Sequence, residues 1–219
     1  MGTFPAVRED VWVESWGWRV TGACERITAL LVFVLAAPAL LVIAAWIWRL
    51  SGRTPFIAHR RVGWRGSNLW MLKLRTMWNP HSPGSTGGGW IEFISDDSGP
   101  ALKQPSDDRV PHSFARFCRR HSLDELPQLW HVIRGEMLLV GPRPITRREL
   151  REHYRSCADE ILQIKPGIAG LWQTSGRTRL TYRERLSLDL EFVRRRSAGM
   201  YLRILLRTIG EVWTGSGAW

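Results

Sequence analysis

Apolar residues gather most densely near the N-terminus, where residues 27–47 read ITALLVFVLAAPALLVIAAWI, without a single charge. A helix of that length crosses the hydrocarbon core of a bilayer. Pro38 stands in its middle, where it removes one backbone hydrogen bond and crowds the preceding turn, so a bend is expected there. Basic residues flank both ends, Arg19 and Arg26 before and Arg49 and Arg53 after. A spanning helix carries its Lys/Arg excess on the cytoplasmic side only. Two arrangements therefore fit: a proline-kinked span, and a re-entrant helix-break-helix that dips in, turns at Pro38 and returns to the same face. The run follows too long a leader, and lacks the small-residue cleavage pattern, for a secretory signal. Upstream, REDVWVESWGWRV (8–20) alternates Trp12, Trp16 and Trp18 with charges, the pattern of an interfacial amphipathic segment.

After Arg53 the pattern becomes that of a soluble domain. RRVGWRGSNLWMLKLRTM (60–77) places turn signals ahead of an apolar–basic alternation through Leu69, Met71, Lys73 and Arg75, which predicts a strand or hairpin arm. Residues 79–108 are rich in Pro, Gly, Ser and Asp, with GSTGGG at 84–89, and read as a mobile loop. That glycine run lacks the Lys-Ser/Thr of a phosphate-binding P-loop. Helical spacing returns at 112–121, 125–133, 181–196 and 201–212, the last with Leu202, Leu205, Leu206 and Ile209 on one side. KPGIAGLWQTSGR (165–177) is glycine-punctuated and turn-like. The expected fold is mostly α with a small β-hairpin (α+β). It comprises an interfacial segment at 1–22, a membrane hairpin at 23–50 bent at Pro38, and a domain at 51–219 with a mobile loop at 79–106.

Charge narrows the partners. Lys and Arg total 31 against 20 Asp and Glu, a formal excess of +11, which favours nucleic acid, a lipid headgroup surface or a phosphorylated substrate. Thirteen Trp favour places that are apolar at one end and wet at the other, such as a membrane interface. No nucleic-acid-binding motif accompanies the charge. Cys24, Cys118 and Cys157 are widely spaced and the six His are scattered, so neither zinc spacing nor a C-x-x-C pair occurs, and a reducing compartment is the simplest setting.

Candidate chemistry concentrates in SLDELPQLWHVIRGEMLLVGPRP (122–144), where two adjacent carboxylates head an apolar helix in a basic protein. Ser122 and Glu125 have capping-box spacing, and Pro127 suits a first helical turn. Asp124 and Glu125 are thus expected at a helix N-terminus, where the macrodipole favours ionised carboxylates. They can serve there simply as a cap. Alternatively, a carboxylate held ionised can attack phosphorus and form an acyl phosphate. Anions facing a phosphate need cations: a divalent ion such as Mg²⁺, and arginine for bidentate phosphate contacts. Arg75, Arg109, Arg119, Arg120, Arg143 and Arg177 stand in the most motif-like stretches.

Six of these stretches, in order, carry a resemblance: R-V-G (61–63), K-L-R-T-M (73–77), D-D-R-V (107–110), R-R-H-S-L-D-E-L-P-Q-L (119–129), V-G-P-R-P (140–144) and K-P-G-I-A-G-L-W-Q-T-S-G-R (165–177). From about residue 23 to 212 the chain resembles the bacterial sugar transferases, in their small monotopic phosphoglycosyl transferase form. The resemblance implies transfer of a phosphosugar from a UDP-sugar to a polyprenyl phosphate such as undecaprenyl phosphate. The setting would be the cytoplasmic face of the bacterial inner membrane, with UMP released. It implies that Asp124 is the nucleophile, that Glu125 engages Mg²⁺, and that Lys73, Arg75, Arg119, Arg143, Arg177 and Asp189 hold phosphate or nucleotide. Membrane lipid is an implied partner and nucleic acid is not; a homodimer is left open. Against the family pattern, Ala37 replaces the Ser before Pro38, Pro111 a Thr, His131 an Asn, Ala169 a Thr, Phe192 a Tyr and Tyr201 an Asp. These departures leave a second reading, an inactive membrane-anchored assembly or binding protein of the same fold.

Overall fold

A computed structural model of the chain describes residues 16–78, 89–95, 110, 112–175 and 180–215. Segment 1–15, most of the expected loop 79–106 and Arg177 lie outside the described residues.

The apolar run and its flanks form one helix, α1 (Trp16–Ser51). The expected boundary at 22/23 is therefore not a break in structure, since residues 16–22 are its first turns. Nor does the helix break at Pro38, which lies inside it. The proline costs the Val34 carbonyl its N–H partner, so it is a weak point within one helix rather than an interruption. One stripe of α1 is covered by protein: Glu25, Ala29, Leu40, Ala44 and Ile47 are buried. The opposite faces, with Ile27, Leu31, Val34, Leu35, Leu41, Val42, Trp46 and Trp48, are exposed and apolar. Both halves of α1 touch the rest of the chain. Ala29 and Phe33 pack with Leu129, Val132 and Met137, and Ala44 and Ile47 pack with Leu74 and Phe114.

The expected hairpin is present. Strands β1 (Phe56–Val62) and β2 (Asn68–Leu74) pair antiparallel, joined by a tight turn in which Arg65 (φ 53°) and Gly66 (φ 78°) are both left-handed. A third strand, β3 (Ile91–Ile94), pairs parallel to β1 and makes the sheet order β2-β1-β3. It falls inside the segment expected to be a mobile loop; the short alternation Ile91, Glu92, Phe93, Ile94 suffices to build an edge strand once Glu92 reaches Arg75.

A second, two-stranded parallel sheet joins β4 (Leu138–Val140) to β5 (Gly167–Ala169), where only a turn was expected. The two chains approach so closely that a Cβ at Gly167 would fall on the Gly141 amide, and one at Gly141 would lie 2.8 Å from Gly167 N and from the Lys165 carbonyl. The glycines of V-G-P-R-P and K-P-G thus exist for backbone approach.

Helices α2 (Ser113–Arg120), α3 (Leu129–Ile133), α4 (Arg147–His153), α5 (Ala158–Ile161), α6 (Tyr182–Arg195) and α7 (Ala198–Thr214) complete the described fold. Full capping boxes start α4 (Thr146, Glu149) and α6 (Thr181, Glu184). The main core gathers Val62, Ile145, Leu150, Tyr154, Ile161, Leu162, Ile164 and Val193. On α7 only Leu205 of the expected stripe turns inward; Leu202, Leu206 and Ile209 are exposed, as is Trp213. The chain is α+β and mostly helical, with one long apolar N-terminal helix.

Candidate active site

The acidic pair lies on a 3₁₀ helix, Leu123–Gln128, that runs straight into α3. Ser122 enters it in the left-handed conformation (φ 53°), uncommon for a residue with a Cβ. Its side chain makes no capping bond, so the expected capping box is not formed; only its backbone carbonyl accepts, from Glu125 N at 3.0 Å. A capping residue is extended, whereas Ser122 is left-handed, and the Glu125 carboxylate is engaged elsewhere. Lys73 Nζ of β2 donates to Glu125 Oε1 at 2.7 Å, across 52 residues of sequence. Asp124 is 9% exposed. Its charge is felt by Cys118 on α2, whose thiol is pushed up to about 11, first by burial and then by Asp124. Arg119, half-buried, is the next residue on that helix. Leu126, on the same 3₁₀ turn, packs in the cluster that holds Ala29 and Phe33 of α1. The acidic pair is thereby seated between the strand carrying Lys73, the helix carrying Arg119 and the long apolar helix.

Arg75 is not available in the same way. It is 5% exposed, its Nη2 pairs with Glu92 Oε2 at 2.5 Å, and its Nε donates to the Thr54 carbonyl at 2.8 Å. Burial pulls its pKa down, offset in part by Glu92. In this structure its guanidinium ties Glu92 of β3 and residue 54 to the end of β2.

Arg143 and Asp189 meet in a second group, which sequence reasoning left incomplete. Asp189 is 1% exposed and accepts from Tyr154 Oη at 3.2 Å. Burial drives its pKa up to about 7, against the lowering effect of Tyr154, Arg143 and Arg185. The guanidinium carbons of Arg143 and Arg185 stand 5.5 and 4.9 Å from the Trp172 ring centre. Arg185 precedes Asp189 by four residues on α6, so their i,i+4 spacing was a usable signal. The Tyr154 and Trp172 contacts cross the fold and left no local trace.

Three departures from the family pattern also converge. Ala169 and Phe192 are members of one buried cluster with Val140 and Ile204, and Tyr201 packs against it. The Tyr201 hydroxyl donates to the Glu25 carboxylate of α1, which also accepts from Leu139 N at 3.0 Å.

No set of three or more His, Cys, Asp or Glu side chains forms a metal cage among the described residues. The adjacent Asp124 and Glu125 fit a different kind of site: Mg²⁺ is commonly held by one or two carboxylates while substrate phosphates complete its shell.

Comparison with known proteins bears on this geometry. The sequence profile of the family described as bacterial sugar transferase matches residues 16–215. A UDP-galactose-lipid carrier transferase of Erwinia amylovora is 36% identical over 201 residues, covering 89% of this chain and 40% of the relative. The exopolysaccharide production protein ExoY of Rhizobium meliloti (strain 1021) is 35% identical over 195 residues, 89% of this chain and 86% of ExoY. A UDP-glucose:undecaprenyl-phosphate glucose-1-phosphate transferase of Xanthomonas campestris pv. campestris is 31% identical over 198 residues, 86% of this chain and 37% of the relative. The chain thus spans less than half the length of the first and third of these.

Proposed function

Because the chain belongs to the bacterial sugar transferase family, we propose that it is a phosphotransferase that carries a sugar-1-phosphate from a UDP-sugar to undecaprenyl phosphate at the membrane surface. One observation carries this reading: the buried Asp124 sits on a turn packed against the apolar helix α1, beside a Glu125 already held by a cation. A polyprenyl chain leaves the bilayer only at about 0.8 kcal/mol per methylene, and a nucleotide sugar does not enter it. Chemistry shared by both belongs at the lipid boundary.

A carboxylate oxygen of Asp124 attacks the sugar-bearing phosphorus of the donor. A P–O bond forms, the P–O bond to the nucleotide breaks, and UMP leaves with the electron pair. The phosphate of the lipid acceptor then attacks the same phosphorus and displaces Asp124, leaving a polyprenyl diphosphate sugar. Glu125, with Asp124 beside it, would hold Mg²⁺, and the ion when bound would supply positive charge that lowers the repulsion between carboxylate and phosphate. Lys73 and Arg119, with Arg143 and Arg177, supply the fixed cations; Arg75 serves the framework instead.

The membrane setting is supported by α1. From Ala29 to Ile47 a straight helix would rise about 27 Å, close to the whole hydrocarbon thickness. Yet both of these residues are buried against the one domain. A helix standing upright in the bilayer would pull that domain in after it, so α1 lies shallowly along the surface with its exposed apolar faces toward lipid and both ends on the cytoplasmic side. The exposed Leu202, Leu206, Ile209 and Trp213 of α7 offer a second apolar face to the same surface.

The test is release of UMP from a panel of UDP-sugars with undecaprenyl phosphate and Mg²⁺. Asp124→Asn is expected to lower turnover at least about 10³-fold, as loss of a nucleophile does, while the protein remains folded and membrane-bound. Full activity in that variant overturns the nucleophile. UDP in place of UMP overturns the phosphosugar transfer.

A further inference from the structure

We propose that His131 is a positioning residue for the acidic pair, fixing the turn that carries Asp124 and Glu125 to strand β2 so that Lys73 meets Glu125. The chemical consequence, though not the geometry, rests on the function proposed above.

Among the described residues, strand β2 lies at the edge of its sheet, with β1 on one side only. Its outer N–H groups need partners that no described strand supplies. Leu72 N donates to His131 Nε2 at 3.1 Å. That nitrogen is therefore the bare acceptor of the ring, and the proton sits on Nδ1, which donates to Glu136 Oε2 at 2.6 Å. Glu136 is held in turn by Arg134 Nε at 2.9 Å. The Gly135 turn (φ 71°) brings Glu136 N and Met137 N back onto the His131 carbonyl at 2.8 and 3.1 Å. Ring and backbone of His131 are thus both tied down, and the side chain is buried.

Two bridges consequently join the same two segments. One runs from Leu72 to His131, the other from the adjacent Lys73 to Glu125, six residues before His131 on the continuous 3₁₀–α3 unit. Lys73 is a long chain with a freely rotating head, costly to order by itself. A hydrogen bond between a rigid ring and the neighbouring backbone sets the spacing before the ion pair has to form. A residue that only filled core space would need no acceptor at this point, so Leu would serve as well as His. That is where the two roles part.

The experiment is competitive acetylation of the full chain in membrane mimetic, reading Lys73 against Lys165 by peptide mass spectrometry. The chain has three lysines, so the assignment is direct. His131→Leu is expected to raise relative Lys73 labelling about five-fold, the change that loss of one hydrogen bond produces. His131→Gln, which keeps an acceptor, should return it close to wild type, and Glu125→Gln should raise it at least as far as His131→Leu. Melting temperatures of each variant separate this from general loosening. If His131→Leu does not fold, Glu136→Ala, which removes the acceptor of Nδ1 without touching β2, is read the same way. An unchanged Lys73 ratio overturns the proposal, whatever Glu125→Gln shows. UMP release is the second reading. Slow release in His131→Leu that recovers in His131→Gln supports the link to chemistry, and release equal to wild type overturns that link. Failure of the wild type to release UMP with any donor would overturn the proposed function while leaving the labelling result in force.

Discussion

Replacing Asp189 by Asn removes one titration from the folded protein while keeping the size of the side chain and an acceptor for Tyr154. The structure fixes what that titration does. An ordinary Asp ionises near 3.8, whereas burial among Tyr154, Arg143 and Arg185 moves this one to about 7. The folded state therefore holds the Asp189 proton more tightly than the unfolded chain does. Its stabilising effect is full below the unfolded value and is lost as pH climbs from about 4 to about 7. Between pH 5 and pH 7 the linkage amounts to about 2 kcal/mol, with little further change above pH 8. For a chain of this size that corresponds to a fall of roughly 4–8 °C in Tm. The assay is thermal melting of wild type and Asp189→Asn in the same detergent at half-unit steps of pH. Subtracting the two curves cancels every other titrating group. The expected difference curve slopes between pH 5 and 7 and is flat above 8. Parallel curves would show that Asp189 ionises in the folded state as it does in water, and would refute the buried arrangement with Tyr154.

Three further outcomes follow from the geometry. Arg75→Met should cost about 2–3 kcal/mol of stability by stranding Glu92 and the Thr54 carbonyl, with the donor KM unchanged; a raised KM at unchanged Tm would restore the phosphate role to Arg75. Gly167→Ala should destabilise by about 1–3 kcal/mol, because the added methyl meets the Gly141 amide; an unshifted melt would refute the close approach of β4 and β5. Single cysteines at positions 23 and 53, in a background lacking the native three, should both react with an impermeant maleimide only when the cytoplasmic face is open. Labelling from opposite faces would establish a span.

Much of this architecture was legible because it rests on local pattern. The charge-free run gave α1, the alternation around Leu69 and Met71 gave β2, and the 3.6-residue spacing gave α2, α6 and α7. What escaped depends on partners distant in sequence. Ile91–Ile94 is too short to announce a strand inside a Gly/Ser-rich stretch, and becomes one only because Arg75 and β1 are waiting for it. Ser122 and Glu125 have the spacing of a capping box, yet Ser122 is left-handed and Glu125 pairs with Lys73, so the box does not form. The same holds within the site. Asp124, Glu125, Lys73 and Arg119 were found by motif, and the structure gathers them around one turn. Arg75 fits its motif equally well but spends its guanidinium on Glu92. The part played by His131 is invisible in sequence, since its partner is a backbone N–H 59 residues away.

The meeting of Ala169, Phe192 and Tyr201 around a single patch of interior carries a consequence for anyone exchanging residues between relatives. Phe192 and Ala169 lack the hydroxyls of the family pattern, and Tyr201 supplies one from the facing helix, aimed at Glu25 of α1. A hydroxyl introduced alone at 169 or 192 would enter this apolar cluster, and Asp at 201 alone would leave the Glu25 carboxylate without its Tyr donor. The three substitutions should therefore show strong epistasis, harmful singly and tolerated as a set, because all three meet at the one patch where α7 reaches Glu25 of α1.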